Sequence, residues 1–296
     1  MSFQSYSAQW VHLVDEGIQL SLNQFRKTAS LRFGPLIEAM EYSLSGGGKR
    51  FRPLLTLASA ECLGLNPKEV LPAALAIEYI HTYSLIHDDL PALDDDDTRR
   101  GKPSSHKQFG EAVAILAGDA LLTEAFGQLA KLRESNKFSP ENILQALELL
   151  VSASGVRGLV GGQFIDITLE QPQFNLPEVE FIHIHKTGAM IVASVLMPAR
   201  LTGLEEKKTL LLKRYGSALG LAFQISDDIL DAQSNGRYAR GPRKKARPAY
   251  SELMNRVEMQ ELLNQLVDTA VASIEPWGDK SKALRDIAEF IRNRKQ

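Results

Sequence analysis

The chain carries a single cysteine, Cys62, set among apolar residues. Disulfide stapling within the chain is therefore excluded, and Cys62 reads as a small buried hydrophobe. An excess of either charge is missing too: 34 Lys and Arg face 36 Asp and Glu, a formal balance of −2. That balance gives no bulk reason to expect nucleic acid or a membrane surface as a partner. The longest uncharged apolar stretch, residues 188–199, is too short to cross a bilayer of ~30 Å as a helix. Residues 1–15 lack a basic patch followed by an apolar run, so no signal peptide is expected. The expectation is a cytoplasmic protein with no membrane anchor. Linkers rich in Gly and Ser, or in Pro, are absent as well, and helical periodicity continues across the midpoint. One domain spanning residues 1–296 is expected.

Strand signals are few, and the one Asn-Gly pair, Asn235-Gly236, sits in a polar, basic stretch rather than between alternating runs. What is present is helix. Residues 33–44, 70–89, 111–132, 140–154 and 215–230 are rich in Ala, Leu, Glu and Ile, with apolar positions recurring at three and four. The fold class is all-α. Glycines punctuate the helices at Gly46-Gly47-Gly48 and Gly161-Gly162. Residues 234–248 are polar, basic and without helical periodicity, and are expected to form a mobile loop.

Against this plain background two aspartate clusters stand out. Asp88, Asp89, Asp94, Asp95, Asp96 and Asp97 place six carboxylates within ten positions. Like charges this close raise one another's pKa unless a cation joins them. They follow an apolar run and flank Leu90, Pro91, Ala92 and Leu93, which ties them to a core and argues against a solvated acidic tail. Hard oxygen donors without nearby thiols suit Mg²⁺ bridging to phosphate. Pro91 should bend the helix, and that bend is the expected means of bringing Asp88 and Asp94 together. Arg99 and Arg100 follow at once; carboxylates beside arginines fit a metal-bound, multiply anionic ligand.

The second cluster comprises Asp227, Asp228 and Asp231. Gln224, Asp227 and Asp231 share one helix face at i, i+3 and i+7, with Ile225 and Ile229 free to face the core. Alone such a face is usually surface; the first cluster gives it meaning. Elsewhere, Gly46 to Arg52 forms a glycine-rich entry whose three basic residues, Lys49, Arg50 and Arg52, suit an anion. His81 lies seven residues before Asp88 on the same helix face. Lys186 and Thr187 precede an apolar helix. His12, His106, His183 and His185 are read as structural or surface residues.

In this order, Gly-Gly-Lys-Arg-Phe-Arg-Pro, then His81 and Tyr83 to Asp97, then Arg-Arg-Gly-Lys-Pro, the sequence resembles the trans-isoprenyl diphosphate synthases. Gly161-Gly162-Gln163 with Asp166, His185 to Ala189, and Phe223 to Asp231 extend the likeness over residues 35–231, nearest the bacterial farnesyl-producing group. The resemblance implies an isoprenoid synthase helical bundle around a central cavity, usually homodimeric. It implies that Asp88 and Asp94 hold two Mg²⁺ ions and Asp227 a third, with Asp89, Asp228 and Asp231 supporting. Arg99, Lys186 and Gln224 would contact the allylic diphosphate. Lys49, Arg52, His81 and Arg100 would hold isopentenyl diphosphate, with Phe223 beside its apolar part.

The implied reaction is ionisation of dimethylallyl or geranyl diphosphate, condensation, and loss of a proton to the released diphosphate. Thr187 and Gln224 would stabilise the allylic cation. Tyr83, next to Ser84, would form the floor that stops the product at fifteen carbons, ~7.5 Å below Asp88 along a helix. A synthase stopping at geranyl or running to geranylgeranyl diphosphate is the near alternative. A terpene cyclase would lack the Lys49, Arg52 and His81 set, and a phosphohydrolase built on His87-Asp88 would need further metal-spaced histidines.

After Asp231 the likeness ends: the family's Gly-Lys pair and its later lysine before Thr-Tyr-Pro have no counterpart. Arg240, Lys244, Lys245 or Arg247 can cap the allylic diphosphate instead, or the segment is a solvated basic loop. A working but altered flap, weaker allylic binding, or a non-catalytic partner subunit each fit that departure.

Overall fold

The computed structural model describes residues 3–168, 175–233 and 249–294. The basic stretch from 234 to 248, with Arg240, Lys244, Lys245 and Arg247, lies outside the described residues. The helices run α1 (Phe3–Thr28), α2 (Gly34–Leu44), α3 (Phe51–Cys62), α4 (Leu71–Asp88), α5 (Ser105–Phe109), α6 (Glu111–Ala130) and α7 (Pro140–Ser154). Then come α8 (Leu159–Thr168), α9 (Leu176–His183), α10 (Ala189–Thr202), α11 (Glu206–Gln233), α12 (Arg256–Ser273) and α13 (Lys282–Arg292). The only strands among the described residues are β1 (Thr98–Arg99) and β2 (Lys102–Pro103), an antiparallel pair in which Arg99 meets Lys102. The all-α expectation holds.

The helix starts follow local chemistry. Ser139 accepts from Asn142 N to cap α7, while Asn175 and Asn255 build capping boxes with Glu178 and Glu258 ahead of α9 and α12. Each satisfies amides that the first turn leaves without partners.

Two buried apolar clusters fill the bundle. One gathers side chains of α1, α2, α4, α6 and α7; the other joins α3, α11, α12 and α13. α10 contributes to both, Met190, Ala193 and Met197 to the first and Ile191, Val195 and Ala199 to the second. A helix apolar around its whole circumference is one that sits inside, and α10 is buried along nearly its full length. Polar bonds stitch the layers: Ser59 Oγ donates to Val195 O at 2.6 Å, and Tyr215 Oη to Leu284 O at 2.8 Å.

Three helical stretches, Glu111–Ser135, Pro140–Thr168 and Leu176–Thr202, are long and apolar enough to cross a membrane by length and composition. The uncharged run in the sequence understates this, because it stops at single charges such as Lys186. Here their buried sides pack within the bundle.

Candidate active site

α4 is apolar through most of its length and ends on His87 and Asp88. Helix C-termini carry partial negative charge, so a carboxylate there is costly until a cation joins it. Beyond Asp89 the chain folds back. Asp94 N donates to Asp88 O at 2.9 Å, Asp95 N to Leu90 O at 3.1 Å and Asp96 N to Asp89 O at 3.2 Å. These bonds place Asp94 against Asp88 despite the residues between them. The expected bend at Pro91 is corrected: α4 stops before the proline, whose ring would clash with the preceding turn, and a tight turn does the converging.

Asp89 is 2% exposed, and Arg99 grips it, Nε at 2.8 Å from both carboxylate oxygens and Nη2 at 2.6 Å from Oδ1. Burial pushes the Asp89 carboxyl up while the guanidinium pulls it back. Arg99 and Asp89 are thus partners of each other. Asp95, Asp97 and His106 also bring ligand atoms within 4.8 Å of one another, although Asp97 is paired to Lys107 at 2.9 Å. His106, read from sequence as structural, is buried, with Nδ1 3.0 Å from Ser104 Oγ.

On α11, Asp227 meets Arg294 Nη1 at 2.5 Å, and Asp228 Oδ2 accepts from Tyr250 N at 2.7 Å. Burial pushes the Asp227 carboxyl up, opposed by Arg294. Asp231, one turn on, is exposed. Gln224 Oε1 accepts from Thr187 Oγ1 at 3.3 Å, joining α11 to the residues before α10. Those residues, Ile184–Gly188, form a π-helical turn. Such a widened turn re-aims side chains that a regular helix would send elsewhere. Lys186 Nζ reaches Asp166 of α8 at 2.5 Å. Gly162 makes this possible, for a Cβ there would lie 2.2 Å from Lys186 N.

The glycine entry before α3 does two jobs. Gly48 takes φ +130, and a Cβ on it would come within 3.0 Å of the Arg100 guanidinium, which itself donates to Gly47 O. Arg50, in the left-handed region at φ +47, turns inward: Nη1 donates to Glu78 at 2.7 Å, Nε to Asp15 at 2.9 Å and Nη2 to Leu44 O at 2.6 Å. The expectation of three anion-seeking basic residues is corrected to two, since Arg50 is neutralised in the interior.

Lys49, Arg52, His81, Arg100 and Phe223 then share the wall of one cavity of about 200 Å³ with Phe290 and Arg294. Arg52 Nη1 donates to His81 Nε2 at 3.4 Å; a guanidinium can only donate, so the imidazole carries its proton on Nδ1. Burial, then the charges of Arg52 and Arg100, hold His81 well below its ordinary pKa. Burial and then Arg294 also lower Lys49. From this cavity α4 continues past His81 to Asp88, and α11 past Phe223 to Asp227. Both aspartate groups therefore lie on the C-terminal side of a shared cationic pocket. Their carboxylate oxygens form a hard donor set that fits Mg²⁺.

Tyr83 is 4% exposed with its ring edge-on to His87 at 5.7 Å, and Ser84 Oγ donates to His81 O at 2.9 Å. Burial, then the Asp88 charge, pushes the Tyr83 hydroxyl up to about 12. Arg294 and Phe290 were not legible in the sequence: isolated residues near a chain end carry no spacing signal. The inward roles of Arg50 and Glu78 were hidden for a related reason, as their partners are remote in sequence.

A polyprenyl synthetase family model matches residues 35–241. A farnesyl diphosphate synthase of Geobacillus stearothermophilus is 42% identical over 92% of this chain and 98% of its own. A geranylgeranyl diphosphate synthase of Cyanophora paradoxa is 42% identical over 88% of this chain and 87% of its own. The crystal structure of a putative farnesyl-diphosphate synthase from Marinomonas sp. MED121 superposes with a TM-score of 0.83 at 40% identity, covering 99% of this chain and 100% of that one.

Proposed function

The chain belongs to the polyprenyl synthetase family, and from that membership we propose that it elongates prenyl chains, condensing isopentenyl diphosphate with dimethylallyl and then geranyl diphosphate to give farnesyl diphosphate. The observation that carries this reading is the cationic cavity beside the aspartates. Lys49, Arg52, His81 and Arg100 line it, and its one carboxylate, Glu78, is bound to Arg50. Aspartates with metal serve one diphosphate; this cavity supplies a place for a second. Two diphosphates call for condensation rather than hydrolysis or cyclisation.

In this reading Asp88 and Asp94 on one wall and Asp227 on the other hold Mg²⁺, three ions with substrate bound, and Asp231 stands in reach beyond. Magnesium, when bound, neutralises charge on the departing diphosphate. Asp89 acts by fixing Arg99, and Asp228 by anchoring the chain at Tyr250. Lys186 has three donors, so it can keep Asp166 and still donate to the allylic diphosphate. Thr187, by donating to Gln224, fixes the amide oxygen so that its dipole faces the allylic carbon as the C–O bond breaks. Phe223 offers an apolar wall that keeps water from the cation.

Product length is read from Tyr83, a bulky ring below Asp88 in a helix that leaves it nearly no freedom. The whole chain is read as one domain, since α10 serves both cores. Apolar side chains left exposed on α6 to α8, Leu116 at 56%, Val151 at 52% and Phe164 at 59%, are read as the face a second copy covers. The reaction is placed in the cytoplasm, with its water-soluble diphosphate substrates.

Pyrophosphate release from isopentenyl plus geranyl diphosphate with Mg²⁺, lost on adding EDTA, tests the reaction; chromatography of the product tests its length. A twenty-carbon product would overturn the length assignment. No release from folded protein would overturn the reaction and leave a prenyl-diphosphate-binding subunit.

A further inference from the structure

A second cavity, of about 450 Å³, opens between α7, α10 and α11. That volume lies within the range of small-molecule sites, about 300–1,000 Å³. Val192 and Leu196 of α10 and Leu221 of α11 give it an apolar floor, while Arg157, Arg200 and Lys213 supply its charge. Val192, Leu196 and Arg200 follow one another at intervals of four along α10, and Lys213 and Leu221 sit two such intervals apart on α11. α10 leads into α11 through a short connection at Gly203. Gly216 of α11 packs on Val192 and Gly220 on Gly188, so the two helices run antiparallel and Lys213 lies on the Arg200 side of Val192.

Among the described residues nothing balances the charges in this groove. No carboxylate lines it, and Arg157, Arg200 and Lys213 make no side-chain hydrogen bond or ion pair among the described residues. Cations beside an apolar floor of low polarisability are poorly screened, and an anion entering there is drawn by those within reach. The floor, in turn, gains only if an apolar body covers it. Ser217, also on the wall, adds a hydroxyl.

The groove shares no lining residue with the cationic cavity of the cleft. It does share the π-helical turn: His185 and Gly188 face the groove, while Lys186 and Thr187 of the same turn bond to Asp166 and Gln224. We propose that this groove is a second ligand site, taking a single-chain amphiphilic anion whose phosphate head rests on Arg200 and Lys213 and whose alkyl tail covers Val192, Leu196 and Leu221.

The experiment is calorimetric titration of the full chain with decyl phosphate in EDTA, with inorganic phosphate and decanol as separate probes. Decyl phosphate should bind, and both controls should bind at least tenfold more weakly, since each supplies only half of the complement. Reversing the charges with Arg200→Glu and Lys213→Glu should weaken groove binding at least tenfold. Leu196→Trp, which fills the floor, should do the same without touching charge. Arg52→Gln, in the cleft, should leave the groove's binding intact. Circular dichroism melting keeps loss of fold apart from loss of the site. Unchanged affinity and stoichiometry in both groove variants, or binding lost only with Arg52→Gln, would overturn the proposal.

Discussion

Arg50 and Glu78 form an ion pair at 2.7 Å in which both side chains are almost wholly enclosed. Glu78 lies one helical turn before His81, and Arg50 lies between Lys49 and Arg52. The pair thus fixes the loop and the helix that carry the cationic cavity. Removing one partner of a buried pair leaves the other charged and unsolvated, at about 3–5 kcal/mol. Glu78→Gln should therefore destabilise the fold by that order in urea unfolding. The double variant Arg50→Met, Glu78→Leu should cost much less than the sum of the singles, since no buried orphan charge remains and Asp15, half exposed, stays hydrated. Additive losses would show that the pair is not coupled.

Arg294 occupies Asp227 and also stands over the Phe223 ring at 5.1 Å. A metal at Asp227 has to displace or share with that guanidinium. Arg294→Met should lower the Mg²⁺ concentration for half activation several-fold, because a competing cation is gone. It should also raise the KM for isopentenyl diphosphate about tenfold, equivalent to about 1.4 kcal/mol. Steady-state kinetics with each varied in turn separates the two effects.

Among the described residues the buried Tyr83 hydroxyl has no hydrogen-bond partner, so its ring is what matters at that position. Tyr83→Phe should leave product length unchanged and cost little stability. Tyr83→Ala should lengthen the products by one or more five-carbon units. Chromatography of both variants decides it, and wild-type length from the alanine variant would remove Tyr83 from the floor.

His81 is held neutral well below its ordinary value near 6.5, by burial first and then by Arg52 and Arg100. An unfolded histidine takes up a proton near that ordinary pH, whereas the folded one waits for a lower pH. Stability contributed by this residue is therefore complete above about 6.5 and is lost as pH falls toward the folded value. His81→Gln, which can still accept from Arg52, should flatten that part of the profile. Thermal melts of both proteins from pH 7.5 down to 5 measure it.

Gly162 leaves no room for a Cβ against Lys186 N. Gly162→Ala should push α8 off the π-helical turn, costing about 1–3 kcal/mol by overpacking. It should also lower kcat, since Asp166 then loses its hold on Lys186. Activity unchanged in a stable variant would separate Lys186 from that packing.

What the sequence determined by itself was everything set by neighbours along the chain. The apolar recurrence at three and four made the helices, and the capping residues started them. The two aspartate groups read as a cation site because like charges so close call for a counter-charge nearby. Position 83 announced a large ring at a fixed height below Asp88 because helix rise is constant. The destination of each individual charge was another matter. Lys49, Arg50 and Arg52 are indistinguishable by composition and all reach the cavity wall, yet Arg50 is tied to Glu78 and Asp15 while Arg52 meets His81. Arg99, beside six aspartates, grips Asp89, the most buried of them, and meets Asp96 only at 3.9 Å. Arg294 arrives from the far end of the chain to meet Asp227. Ion pairing follows distance in space and loss of solvent, neither of which has a period in sequence, so only the packed helices could decide it.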